Sequence, residues 1–257
     1  MKKLNALKKT FKYYNIDGYI VPKNDEFFGE YINDSNDRLK FISSFTGSAG
    51  YALILRKKSY LFVDGRYTLQ ALKESGKKFK IVEIYKKKPS DIIDKLRKKI
   101  TIGYDPQLLT KSTTNNLFVS SKCNLKLIQE NLVDKIWNKK NKMQIKKFYI
   151  LPEKHMGESY KNKIKRTIIK MKSMKVDKLL ITAPENIAWL MNIRGEDSKF
   201  SPIPNCNAIL NQSGKIDIIV DERKIDKKFI DFFKKKIKII PRNKIINYLI
   251  KSKNKKN

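Results

Sequence analysis

Two cysteines and one histidine are the only thiol and imidazole side chains in 257 residues. Cys123 and Cys206 cannot build a disulfide framework and are too few for a thiolate zinc site, so they read as small buried thiols. A lone His155 excludes a paired-histidine metal centre and leaves any Ser-His or Cys-His triad with one candidate imidazole. Acidic residues are scarce as well: 25 Asp and Glu stand against 58 Lys and Arg, a formal charge of +33. No apolar run approaches the roughly 18–20 residues of a membrane helix. Asn5, Lys8 and Lys9 break the first ten residues, so no secretory leader is read there. A soluble cytoplasmic protein without a membrane partner is expected.

What is present is a globular composition, 40% hydrophobic, in a length that suits one large domain or two ordinary ones. The basic charge invites a nucleic-acid reading, because Lys and Arg neutralise phosphates. Only eight of the 58 basic residues are Arg, the side chain that bidentate readout favours. Lys is instead spread evenly among many Ile and Asn, as a chain-wide compositional bias would leave it. A nucleic-acid partner is therefore not expected, and lysine-driven non-specific binding stays as the weaker alternative.

Apolar periodicity supplies the organisation. Leu4, Leu7, Phe11 and Tyr14 predict a helix, followed by a strand over Asp17–Pro22 and a helix over Asn36–Phe45. Tyr51–Arg56 and Tyr60–Asp64 read as a hairpin. A helix over Gly65–Ser75 is closed by Gly76, a strand covers Phe79–Ile84, and Ser90 caps a helix over Asp91–Lys98. A strand at Thr101–Asp105, a helical stretch led by Pro106, a strand near Leu125–Ile128 and a closing segment Leu132–Trp137 follow. Alternating strands and helices predict an α/β domain with a mixed sheet.

The order then repeats. A helix over Lys161–Lys175 leads into Val176–Ile181 as the first helix leads into Ile16–Val21. Thr182 and Glu185 have capping-box spacing before a helix over Asn186–Asn192. Ala208–Leu210 and Ile216–Val220 flank Ser213-Gly214-Lys215 as a second hairpin, Ile237–Ile240 matches Phe79–Ile84, and Asn243–Lys251 matches the helix after it. Asp221-Glu222-Arg223 stands 157 residues after Asp64-Gly65-Arg66. This is a duplication at domain size. The expected division is a first domain at 1–137, a linker at 138–157, a second domain at 158–251 and a basic disordered tail at 252–257. The second copy lacks the final strand–helix units of the first, which predicts an exposed sheet edge.

The motifs carry a family resemblance. Asp37-Arg38 through Phe45-Thr46-Gly47-Ser48-Ala49-Gly50, then Asp64-Gly65-Arg66-Tyr67, resemble the first domain of cytosolic three-domain aminopeptidase P, the Xaa-Pro aminopeptidase. Glu130 to Trp137 resembles that domain's ending, and Glu185 to Asp197, followed by Pro202 and Pro204, resembles its second domain. The resemblance implies two tandem creatinase-like N-terminal domains, the second truncated, without the pita-bread peptidase domain. In the full-length family that third domain holds a dinuclear Mn or similar centre on two Asp, one His and two Glu. No such ligand set is expected here, so no cofactor, no metal ligand and no catalytic residue is assigned. By itself the chain is expected to hydrolyse no Xaa-Pro peptide.

Its ancestral job would be shaping substrate access and helping oligomerisation. The alternative is an interaction module that completes a separately encoded catalytic polypeptide. The expected partners are that polypeptide or a second copy in a homodimer, with peptide bound only in such a complex. The resemblance gives one site residue, Arg66, whose guanidinium would pair with a peptide carbonyl or carboxylate; the competing reading has Asp64 cap the next helix and Arg66 brace the turn. Gly47-Ser48-Ala49-Gly50 reads as a helix C-terminal turn and not a phosphate loop, because it runs from helix to strand. Arg194-Gly195-Glu196-Asp197 reads as a polar turn, and Phe41, Phe45 and Tyr67 as packing residues.

Overall fold

The computed structural model describes residues 2–120, 122–138, 145–234 and 236–253. It divides into two compact units, Met1–Lys142 and Met143–Asn257.

The first unit runs α1 (Lys2–Thr10), β1 (Gly18–Pro22), α2 (Arg38–Ser43), β2 (Gly50–Leu55), β3 (Ser59–Val63), α3 (Thr68–Ser75) and β4 (Lys80–Glu83). It continues with α4 (Pro89–Ile93), β5 (Ile100–Tyr104), α5 (Lys111–Leu117), β6 (Cys123–Leu127) and α6 (Leu132–Ile136). The six strands form one mixed sheet in the order β4-β3-β2-β1-β5-β6. Alternation sends Tyr19, Val21, Ala52 and Ile54 to one face, under α1, α2 and α6. It sends Ile20, Leu53, Phe62 and Val82 to the other, where Ile93, Ile102, Leu109 and Phe118 cover them. Both faces are buried, so β1 and β3 are mostly apolar and buried at every position.

The second unit runs β7 (Tyr149–Ile150), α7 (Glu153–Met156), α8 (Tyr160–Ser173), β8 (Lys178–Ile181), α9 (Pro184–Met191) and β9 (Ile193–Arg194). β10 (Asn207–Asn211), β11 (Ile216–Val220), α10 (Lys227–Phe232), β12 (Ile237–Pro241) and α11 (Ile245–Lys253) complete it. Its main sheet has the order β12-β11-β10-β8, and β7 pairs with β9 in a separate two-stranded sheet. One face packs Ala208, Leu210 and Ile218 against Ile164, Ile187, Met191 and Phe229. On the other face the hydrophobic cluster among the described residues is limited to Ile209, Ile219 and Ile240, under Ile245, Tyr248 and Leu249 of α11.

Register makes the duplication explicit. Ala52 opposite Leu61 matches Ala208 opposite Ile218, and Gly18 opposite Leu55 matches Lys178 opposite Asn211. β1 thereby corresponds to β8 with Tyr19 at Leu179 and Ile20 at Leu180, the alignment that the sequence pattern gave. β3 pairs in parallel with β4, as β11 does with β12. β5 and β6 have no counterpart among the described residues, which leaves β8 as the sheet edge that the pattern predicted.

Several local expectations differ from the fold. Thr182 is not a helix cap: Ala183 holds that position without a side-chain bond and Pro184 opens α9, since proline at the first helical position needs no N–H partner. Ser90 lies inside α4, which Pro89 opens, while the Asp91 carboxylate accepts the Lys88 N–H at 2.7 Å. α4 ends at Ile93, short of the crowded cations Lys95, Arg97, Lys98 and Lys99. α2 ends at left-handed Ser44, before the glycine-rich stretch expected to close it. Within 138–157, Tyr149–Ile150 is β7, His155 lies exposed on α7, and Phe148 is buried in the core of the second unit. α11 reaches Lys253, so the tail expected at 252–257 falls partly on helix and otherwise outside the described residues.

Candidate functional site: the Asp64-Gly65-Arg66 corner

β3 ends at Val63, and the chain turns through one 3-10 turn, Gly65–Tyr67, before α3 begins. Asp64 makes that turn. Its Oδ1 accepts from the Arg66 backbone N–H at 3.0 Å and from the Arg66 Nε at 2.9 Å. The Arg66 side chain itself is 77% exposed, with its guanidinium carbon 5.7 Å from the Tyr67 ring centre. The hydrogen bond from Arg66 holds the Asp64 carboxyl below the usual carboxylate range, and the same bond raises Arg66.

The segment after α2 is tied to this corner. Glu74 on α3 accepts from the Thr46 N–H at 2.7 Å and from the Thr46 hydroxyl at 2.6 Å. Gln70 donates to the Thr46 hydroxyl at 2.8 Å, and the Ser48 and Tyr67 hydroxyls lie 2.8 Å apart. Gly47 sits on the Phe45 ring, where a Cβ would overlap it. The result is a polar, solvent-facing surface built from the 46–48 loop and the Arg66 corner, with an immobilised backbone. Glu74 and Gln70 were not read as site residues. Their spacing of four on α3 is the only sequence signal, and it is shared by many exposed helices.

The second unit repeats the corner. Asp221 accepts from the Arg223 N–H at 3.1 Å and its Nε at 2.9 Å, in a 3-10 turn at Glu222–Lys224. The repeat shows that bracing the turn is one job of this pair in both units. The arginines differ at their tips: Arg223 also donates Nη2 to Asp221 Oδ2 at 2.7 Å, closing a bidentate fork. Arg66 contacts Asp64 through its backbone N–H and Nε, and its terminal nitrogens make no hydrogen bond among the described residues.

Arg194 and Asp197 are absorbed into the second unit. Arg194 donates Nη1 to the Ala188 and Ile193 carbonyls, at 3.1 and 2.8 Å. Buried Asp197 accepts from Lys224 Nζ at 2.6 Å and the Asn205 N–H at 2.7 Å. Gly195 lets the chain pass Pro204, whose Cα a Cβ would meet at 2.8 Å. Phe41 stacks on Trp137 at 4.5 Å and Phe45 meets Tyr67 edge-on at 5.9 Å, so the aromatics pack as expected. Among the described residues no three His, Cys, Asp or Glu side chains converge as metal ligands. The described residues do not fit a dinuclear centre. No helix among them is long and apolar enough to cross a membrane.

Comparison with known proteins gives one consistent picture. Sequence models described as the creatinase/prolidase N-terminal domain match residues 3–132 and, separately, 138–257. A probable Xaa-Pro aminopeptidase P of Coprinopsis cinerea is 30% identical over 256 residues, which cover 96% of this chain and 41% of that protein. Aminopeptidase P1 of Lotus japonicus is 31% identical over 86% of this chain and 35% of its own length. The solved X-prolyl aminopeptidase of Caenorhabditis elegans, described as a cytosolic enzyme with a di-nuclear active site, superposes with a TM-score of 0.88 at 25% identity. That match covers 98% of this chain and 44% of the nematode chain. The chain thus spans about two fifths of the length of the curated relatives it matches.

Proposed function

Because the chain belongs to the creatinase/prolidase N-terminal domain family and corresponds to the N-terminal portion of Xaa-Pro aminopeptidase-like proteins, we propose that it acts in the cytoplasm as the non-catalytic, substrate-gating portion of such a peptidase. Its working surface is the corner at Arg66. A guanidinium with its inner edge fixed by a carboxylate is pre-oriented, so little side-chain entropy is lost when its outer edge meets a peptide carbonyl or carboxylate. The supporting observation is the difference between the two corners: Arg223 spends Nη2 on Asp221, whereas neither terminal nitrogen of Arg66 makes a hydrogen bond among the described residues. Peptide hydrolysis belongs to a metallopeptidase portion outside these two units, and this chain orients the peptide.

The test pairs the full chain with such a metallopeptidase portion and measures Xaa-Pro hydrolysis. Arg66→Ala should raise KM with kcat little changed, and Arg223→Ala should leave both near wild type. Equal effects of the two variants would reduce Arg66 to a turn brace. Metal-dependent Xaa-Pro turnover by the purified chain alone would contradict the non-catalytic assignment.

A further inference from the structure

At one end of the first unit's second sheet face lies a cavity of about 720 Å³, a size that suits a small molecule. Its floor is the apolar side of four strands, with Leu55, Tyr60, Val82 and Ile100 all buried. Ile92 of α4 and Leu96 beyond it form the wall. The space exists because α4 stops at Ile93. The chain then crosses to β5 as an irregular segment, which Lys122 Nζ pins by the Asp94 and Leu96 carbonyls, at 2.7 and 3.0 Å.

The rim is basic. Eight of the lining residues are Lys or Arg and two are acidic, whereas the whole chain has 58 against 25. Both acids are engaged. Asp17 accepts from Arg56 Nε at 3.4 Å and from the Thr101 N–H at 3.1 Å, and Glu83 accepts from Lys86 Nζ at 2.7 Å. Lys57, Lys58, Lys80, Lys87 and Lys95 have no carboxylate partner among the described residues. Three of them, Lys57, Lys58 and Lys80, also line an adjoining cleft together with Lys77 and Lys78, with no acidic residue in it. An apolar floor under uncompensated ammonium groups complements one kind of ligand, an aliphatic body with an anionic head. A nucleic acid would use the rim and leave the floor empty.

We propose that this cavity binds an amphipathic organic anion, an alkyl or acyl chain ending in a carboxylate or phosphate. The chain lies on Leu55, Tyr60, Val82 and Ile100, against Ile92. The head meets Lys57 and Lys58 of the β2–β3 turn and Lys80, which stands opposite Tyr60 on β4. Lysine suits this role, because its ammonium is a point charge on a flexible stem and follows a head group without demanding a planar fork. The site involves neither Arg66 nor Arg223 and does not depend on the function proposed above.

The full 257-residue chain is titrated by calorimetry with dodecanoate and dodecyl phosphate, below the concentrations at which they form micelles. Saturable one-to-one binding is expected, and the tighter of the two probes identifies the head group. Decanoate, shorter by two methylenes, should bind about tenfold more weakly than dodecanoate. Ile92→Glu sets a carboxylate beside the chain and should abolish binding at about 100 μM. The double variant Lys57→Glu and Lys58→Glu, confined to an exposed turn, should weaken binding by about tenfold or more. It keeps the test decisive if Ile92→Glu fails to fold. Lys227→Glu with Lys228→Glu, on exposed positions of α10, changes the net charge equally and should leave binding as in the wild type. No binding of either probe at about 100 μM, an affinity indifferent to chain length, or equal losses in the two double variants would each overturn the proposal, the last by reducing it to the charge of the whole chain.

Discussion

β1 and β8 occupy the same place in two copies of one frame, yet β1 is buried at all five positions and every residue of β8 is exposed or only half-buried. The difference lies in what surrounds them. In the first unit β5, β6 and α5 close the sheet and seal its second face around Leu53, Phe62 and Ile102. In the second that face has α11 alone among the described residues. Sequence follows neighbourhood: glycine is required at position 18, where Ile102 presses on it, and lysine is tolerated at 178, where no described strand does. The Asp-x-Arg corner, by contrast, is present in both units with nearly the same hydrogen bonds, which marks it as part of the frame.

The largest expected effect concerns a device with no exposed counterpart. Arg38 lies buried between Asp134, reached by Nε at 3.0 Å and Nη2 at 2.7 Å, and Glu26, reached at 2.6 Å. Arg38→Met removes the buried cation that both carboxylates meet and should cost about 3–5 kcal/mol in urea unfolding of the first unit. Next comes the matched pair of core truncations. Ile20→Ala should cost about 2–4 kcal/mol, whereas Leu180→Ala, half in solvent already, should cost under about 1 kcal/mol; equal costs would break the comparison. A smaller contrast is expected one register step away. Gly18→Ala meets Leu55 Cδ2 at 2.7 Å, Ile102 Cδ1 at 2.9 Å and Ile54 O at 2.9 Å, an overpacking worth about 1–3 kcal/mol, while Lys178→Ala should stay within about 0.5 kcal/mol.

The smallest effect uses the two thiols, one in each unit, as reporters. Burial pushes the half-buried Cys123 up to about 11, and it pushes the fully buried Cys206 up as well. Only the thiolate alkylates. Cys123 labelling should therefore be slow at neutral pH and quicken by about tenfold per pH unit up to about 11. Cys206 should stay silent until the second unit unfolds. Early labelling of Cys206 would mean that the second unit opens without global denaturation.

Much of the frame was legible because it repeats. Ile16–Val21 and Val176–Ile181 share one apolar pattern, and the alignment this gave is the one the sheet register reproduces. The hairpins were legible from Lys57-Lys58 and from Ser213-Gly214-Lys215, each between apolar runs, with Gly214 at a positive φ. The missing partner of β8 followed from counting elements. Long-range polar contacts were not legible: Arg38 reaches Asp134 across 96 residues and Lys224 reaches Asp197 across 27. Nothing local in a single sequence distinguishes these charges from solvated ones. Thr182 misled because the Thr-x-x-Glu spacing also holds Pro184, which opened the helix two residues later. At the site, Arg66 was found through the resemblance. The difference between its uncommitted tip and the closed fork of Arg223 required coordinates.

One frame is closed in the first unit and, among the described residues, open at Leu180 in the second. Residue-resolved hydrogen exchange on the isolated full chain tests this directly. Asn211 gives its N–H to Lys215 O at 2.9 Å, away from β8, so its partner Lys178 and, two residues on, Leu180 turn their amides to the outer edge. The Ile20 amide should exchange only with global unfolding, and the Leu180 amide close to the rate of an unprotected amide. Comparable protection at both positions would mean that β8 is already paired, and would contradict the account.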